Sequence, residues 1–406
     1  MKLLIKTFSA IMAISAMMIS TSCSEENDKL KMTDVSLSID IDIDLPEFTM
    51  EEGSFTLRNV NSGIETTVAL DNSSTTVIEG LYNITFIGTG SYMSNGVSTE
   101  IKIQGTLQNA SVTSTTGNLS VPAFIQNASA GFVIAEIFGV GTYTPDNKQY
   151  NGDQYVRIVN NSDELLYADG LVFMESKFTT TSKYDYTPDI MNEAIAVQAV
   201  VVVPGNGNDV PVEPGESLIL CDNAINHKEA NINSIDLSNA DFEWYTESTS
   251  SSNPDIDNPA IPNLDMYYNY TLSIWILNKQ GNRVYAIGRI PADVSKEDYL
   301  RDYAYEYTYT MVTGATSSTQ RCYKFPNEWI IDAVTLSPAN SYEWNLTVPA
   351  IDMGHTYFGV NNTVSENIGK AVVRKVAYTV DGRDILQDTN NSSIDFIPST
   401  QPTLMD

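Results

Sequence analysis

The sequence predicts an all-β fold of two β-sandwich domains, on three observations. Val35, Leu37, Ile39, Ile41, Ile43 and Leu45 alternate with Ser36, Ser38, Asp40, Asp42 and Asp44, the period of two that half-buries a strand. Further short apolar runs are rich in Val, Ile, Thr and aromatics and are bounded by Gly, Pro, Asn or Asp, the residues that turn a chain. Helical periodicity is scarce. The one strong start is the capping box Ser295-Lys296-Glu297-Asp298 leading into Tyr299 and Leu300, and residues 224–230 have room for one more turn.

Taken in order, residues 1–22 read as a lipoprotein signal peptide. Lys2 and Lys6 supply the positive start, and the apolar stretch from Phe8 to Ile19 is shorter than the roughly 20 residues of a membrane span. Ser20-Thr21-Ser22 then leads to Cys23, so the mature chain is expected to begin at an acylated Cys23. Residues 23–32 form an acidic tether, and its Glu25, Glu26 and Asp28 match the acidic cluster that accompanies export to the outer cell surface in the Bacteroidetes-type lipoproteins this start resembles. Anchoring through more than one acyl chain is stable at about 0.8 kcal/mol per buried CH₂. The partner expected there is outer-membrane lipid, with the protein facing the cell exterior.

Residues 33–124 contain the alternating strand, then Phe55 to Leu57, Thr67 to Leu70, Val77 to Phe86 and Thr99 to Ile103, with turns at Asn61-Ser62-Gly63 and Asp71-Asn72-Ser73. A linker at residues 125–130 follows. From residue 131 onward the strands are Phe132 to Phe138, Tyr155 to Asn161, Leu171, and Ser217 to Leu220 after Pro214-Gly215-Glu216, with Trp329 to Val334 late in the chain.

The first region, with Gly80 and Tyr82 opening a strand after a loop, resembles small prealbumin-like or carboxypeptidase-regulatory-like sandwiches. The second resembles the lamin-tail domain, an immunoglobulin-like sandwich. That resemblance rests on Ile134-Ala135-Glu136-Ile137, Tyr155-Val156-Arg157-Ile158, Leu171, Pro214-Gly215-Glu216 and the closing Asp388-Thr389-Asn390-Asn391, and it makes residues 175–325 a long insertion. Lipoprotein start, sandwich and elaborated second domain together resemble Bacteroidetes surface lipoproteins of the DUF4876 type, a resemblance that implies no chemistry.

Composition narrows the function. The formal net charge is −29, and removal of residues 1–22 takes away Lys2 and Lys6 but no acid, leaving −31. Nucleic acid is excluded as a partner, because phosphates are neutralised by clustered Lys and Arg. Only His227 and His355 carry imidazoles, and no Gly-x-Ser-x-Gly elbow, His-Glu-x-x-His or phosphate loop is present. No catalytic residues, metal ligands or cofactor are therefore expected. A structural calcium is the softer alternative, at Asp255-Ile256-Asp257-Asn258 or at Asp388-Thr389-Asn390-Asn391, where oxygen donors are dense. Cys221 closes an apolar strand and is read as a buried thiol, with pairing to Cys322 left open.

Aromatics are the remaining signal. Tyr303, Tyr305, Tyr307 and Tyr309 share one face if extended, and Trp275 lies in the same region; flat rings of this kind stack on sugars or anchor partners. The expected function is a surface-exposed, non-catalytic lipoprotein that binds a glycan, peptide or partner protein, as an accessory to an outer-membrane transporter. The alternatives are a polysaccharide hydrolase with paired carboxylates, which must lie about 5 Å apart in a retaining enzyme, and a structural or adhesive envelope component.

Overall fold

The computed structural model describes residues 31–40, 48–94, 97–126, 131–247, 255–271, 274–311, 314–348, 351–380 and 382–405. The signal peptide, Cys23, Glu25, Glu26 and Asp28 lie outside the described residues. The chain divides into two compact units, one ending at Ala128 and the other starting at Ser129. Both are built from strands.

In the first unit the alternating stretch forms the strand Met32–Asp40, which turns Val35 and Leu37 inward and leaves Ser36 and Ser38 at the surface side. Seven strands make one sheet in the order Glu65–Ala69, Thr49–Asn59, Gly80–Ser94, Val97–Val112, Asn118–Gln126, Met32–Asp40 and Ser74–Ile78. The two end strands are consecutive in sequence and are joined by the short turn Leu70–Asn72. The sheet is therefore rolled, and side chains from both ends, Val68 and Val77, share one core with Phe55, Ile84 and Val121. The strand Met32–Asp40 runs antiparallel to Ser74–Ile78 along its first half and parallel to Asn118–Gln126 along its second.

Two glycines make room in that core. Gly53 and Gly88 face each other across neighbouring strands, and a Cβ on Gly53 would lie 2.5 Å from the Phe86 ring, while one on Gly88 would lie 2.6 Å from the Glu52 carbonyl oxygen. The Phe86 ring crosses the space two side chains would occupy.

The second unit is a sandwich of an eight-stranded and a six-stranded sheet. The larger runs Asp185–Thr187, Ala304–Thr310, Gln320–Pro326, Ala194–Val202, Leu171–Ser176, Val284–Arg289 and Ile330–Thr335, with Asp265–Asn269 also paired to Ala194–Val202. The smaller runs Phe242–Glu243, Ser217–Cys221, Tyr155–Asn160, Phe132–Phe138, Ala371–Arg374 and Phe396–Thr400. Ile134, Ile158, Leu220 and Val372 from the smaller sheet meet Phe173, Val201, Ile287 and Val334 from the larger in the main core.

The outer face of the larger sheet is covered as well, by Tyr299 of the helix Lys296–Asp302 and by Leu346 and Ile351 from the stretch after Ile330–Thr335. This explains why Ala194–Val202 is buried at every position: a strand covered on both faces reads as a continuous apolar run, without alternation. Residues 175–325, expected as an insertion, instead supply most of the larger sheet, including its middle strand Ala194–Val202. The capping box at Ser295 forms as the sequence predicts, with the Ser295 hydroxyl accepting from the Asp298 N–H at 3.1 Å.

Candidate functional site

The strand Ala304–Thr310 extends Tyr305, Tyr307 and Tyr309 to one face, and the fold then covers that face. Tyr305 and Tyr307 are each only 4% exposed and stack on each other at 5.0 Å and 17°, in a cluster with Ile190, Ala194, Ala196 and Cys322. Burial raises the phenol pKa of both. Tyr303 does not join them. It caps the helix Lys296–Asp302 and packs on Tyr299 at 5.5 Å and Trp329 at 4.7 Å. Trp275 is fully buried in the main core, 5.4 Å from Trp244 and 6.2 Å from Phe173. Of the five aromatics expected to stack on a ligand, then, Trp275, Tyr305 and Tyr307 are core side chains. Their apolar area is better buried than exposed at about 25 cal/mol per Å².

Tyr309 remains half-buried, and the structure brings to it a set that lies far away in sequence. Phe178 and Tyr186 stack at 3.8 Å and 14°, Tyr184 lies 5.1 Å from Tyr309, and Phe178 meets Tyr307 edge-on at 5.0 Å. The alternation Tyr184-Asp185-Tyr186 was the available signal for this partner strand. Asp185–Thr187 forms the end of the larger sheet, with Tyr186 opposite Tyr309. After the cis Thr187–Pro188 bond the chain leaves the ladder, and the Tyr305 hydroxyl donates to the Pro188 carbonyl at 2.6 Å. A shallow pocket opens beside this departure, lined by Tyr186, Asp189, Ile190, Ala194, Tyr305 and Leu346.

The remaining titratable groups are occupied internally. The Nε2 of buried His227 faces the Asn223 carbonyl at 2.8 Å and must carry the proton, so Nδ1 accepts from the Tyr150 hydroxyl at 3.0 Å. Burial lowers the His227 pKa, against the opposing pull of Asp153, and the ring is neutral. Cys221 packs with Phe138 and Tyr155 and its thiol is pushed up by burial. Cys322 is a second free buried thiol, pushed up to about 12. Thiols this far from their thiolate form are inert.

Both stretches considered for calcium carry other bonds. At Asp388 to Asn391 the positive charge is Arg374, whose guanidinium lies 2.5 Å from Asp332, 3.3 Å from Asp388 and 3.8 Å from Asp395, with the Phe396 ring 4.6 Å away. At Asp255 to Asn258, the Asp255 carboxylate accepts from the Thr246 N–H at 2.8 Å and Asp257 from the Asn263 amide at 2.8 Å. No three His, Cys, Asp or Glu side chains converge on a metal position among the described residues. Near the second stretch lies Asp222, 4% exposed, whose pKa is raised by burial and by the charges of Asp255, Asp153 and Glu243.

Residues 213–403 match the DUF4876 family, described as a protein of unknown function. The fold is similar to the crystal structure of a DUF4876 family protein from Bacteroides thetaiotaomicron VPI-5482, with 24% identity over 92% of this chain and 96% of that one and a TM-score of 0.59. A "putative adhesin" from Bacteroides ovatus ATCC 8483 aligns at 9% identity over 75% of this chain and 88% of that one, with a TM-score of 0.19. No curated protein matches the sequence. The strands from Ser217 through Phe396, with the aromatic set on Ala304–Thr310 among them, lie within the residues that match that family.

Proposed function

We propose that this protein is a lipid-anchored outer-membrane lipoprotein, facing the cell exterior, that binds a ligand or partner without catalysis. Cys23 carries the acyl chains, and Glu25, Glu26 and Asp28 direct export. Binding takes place at the end of the larger sheet in the second unit. The observation that carries this reading is the half-buried aromatic cluster of Tyr184, Tyr186 and Tyr309 at the end of the sheet, since aromatic side chains offer large contact area at small entropic cost. A glycan, a peptide and a protein surface all meet that description, as would a segment of an outer-membrane transporter.

The test has two arms. Cells grown with labelled palmitate are expected to label the protein, and Cys23→Ala to remove both the label and membrane fractionation. Chain from residue 24 onward, applied to glycan and peptide arrays, is expected to retain a ligand that Tyr309→Ala releases. An unlabelled protein, or arrays that stay empty, would remove the support for this reading.

A further inference from the structure

The sandwich of the second unit closes three of its four sheet ends against its own chain. Beside Ile330–Thr335, the Thr335 N–H donates to Asp352 at 2.8 Å and its carbonyl accepts from the Thr356 N–H at 2.9 Å. Beside Phe242–Glu243, the Glu243 N–H donates to the Pro262 carbonyl and the Leu264 N–H donates back to Glu243. In Phe396–Thr400, Pro398 has no N–H and the Ser399 N–H donates to the Tyr357 carbonyl at 2.9 Å. These are the usual ways of blunting a strand edge. The fourth end, Asp185–Thr187, is treated differently.

Tyr309 uses its N–H and carbonyl on its far side, where they meet the Ser317 hydroxyl at 3.0 Å and the Ser317 N–H at 2.9 Å. In an antiparallel pair both main-chain groups of a residue point to the same side. Tyr186, directly opposite Tyr309, is therefore in a non-hydrogen-bonded pair, and its own N–H and carbonyl point outward from the sheet. No hydrogen bond to either is present among the described residues. The aromatic rings beside it are already face to face with one another, Phe178 on Tyr186 and Tyr305 on Tyr307, which leaves little ring face for a sugar. What is free is the main chain of Tyr186 and the shallow pocket next to it.

The geometry points to an extended peptide as the ligand, added as a further strand at Tyr186. Strand addition draws its affinity from main-chain hydrogen bonds. The flanking charge selects among peptides. Residues 183–193 hold Asp185, Asp189 and Glu193 against Lys183, and neither Asp185 nor Asp189 is ion-paired among the described residues. The segment that binds is basic. This inference rests on the binding reading above and names its ligand class.

A phage-displayed random dodecapeptide library panned on the chain from residue 24 onward is expected to enrich Lys- and Arg-rich sequences. In the enriched peptide, methylating each amide nitrogen in turn should weaken binding at least tenfold at one position, and hydrogen exchange over residues 185–187 should slow in the complex. Tyr186→Pro, which removes the outward N–H together with the ring stacked on Phe178, should lose binding, whereas Tyr186→Ala, which removes the ring and keeps the N–H, should retain it, as should Tyr186→Phe. If every N-methylated peptide binds within twofold of the parent, or no peptide is enriched, strand addition is wrong. A glycan retained on arrays and lost in Tyr309→Ala, with no peptide bound, would overturn this inference and leave the broader binding reading standing.

Discussion

Burial sets the behaviour of single residues here more than surface charge does. Arg374 is held by Asp332, Asp388 and Asp395 inside the sandwich, and removing one member of a buried ion network leaves the others uncompensated. Arg374→Met is expected to cost about 3–5 kcal/mol, read as a lower denaturant midpoint. Asp222 is the opposite case, a buried carboxyl among acids with no ion pair of its own among the described residues. Asp352, pushed up to about 7 by burial although Ser392 and Thr335 donate to it, behaves similarly. Both carboxyls favour the proton in the folded state. Their contribution is therefore greatest in acid and is lost as pH climbs above the ordinary aspartate value of about 3.9, for Asp352 on approaching about 7. Asp222→Asn should raise stability at pH 8 by about 1–2 kcal/mol and leave it unchanged at pH 3.5, as thermal melts at the two pH values would show.

Strands differ in how plainly they speak from the sequence. Met32–Asp40 was legible because one of its faces meets the core and the other does not, which writes alternation into the residues. Ala194–Val202 was not, because cover on both faces erases alternation and its partners, Leu171–Ser176 and Gln320–Pro326, lie on either side of it in the chain. The tyrosine stripe was read correctly as one face of a strand from Tyr305 to Tyr309, but periodicity cannot say whether that face meets solvent or another layer. The helix before it ends at Tyr303 and swings that ring away. Phe178 and Tyr186 were invisible as partners, since only pairing across more than a hundred residues brings them to Tyr307 and Tyr309. Within strands, the Gly53 and Gly88 pair predicts a sharp intolerance: Gly88→Ala should cost about 1–3 kcal/mol, because the new methyl meets backbone at Glu52 as well as the Phe86 ring, and urea unfolding would measure it.

For the whole molecule, the sequence was sufficient for the all-β class, whereas the meeting of Tyr184 and Tyr186 with Tyr309 emerged only from topology. The rolled sheet of the first unit also bears on how the protein withstands force. With the proposed anchor at Cys23, tension enters that unit at the start of Met32–Asp40 and leaves it after Gln126, at the end of Asn118–Gln126. These two strands are parallel neighbours, so pulling one by its front and the other by its rear slides them past each other. Every rung between Ser36 and Asp40 must then yield together, whereas an antiparallel hairpin pulled at its open end would unzip one rung at a time. Single-molecule stretching between residue 24 and the second unit should record a distinct force peak for the first unit, and Ser38→Pro, which removes an N–H on the side where Ser36 donates to Gly117 and the strand faces Asn118–Gln126, should erase it. With the proposed anchor at Cys23, that mechanical clamp is what keeps the first unit folded when the second is pulled.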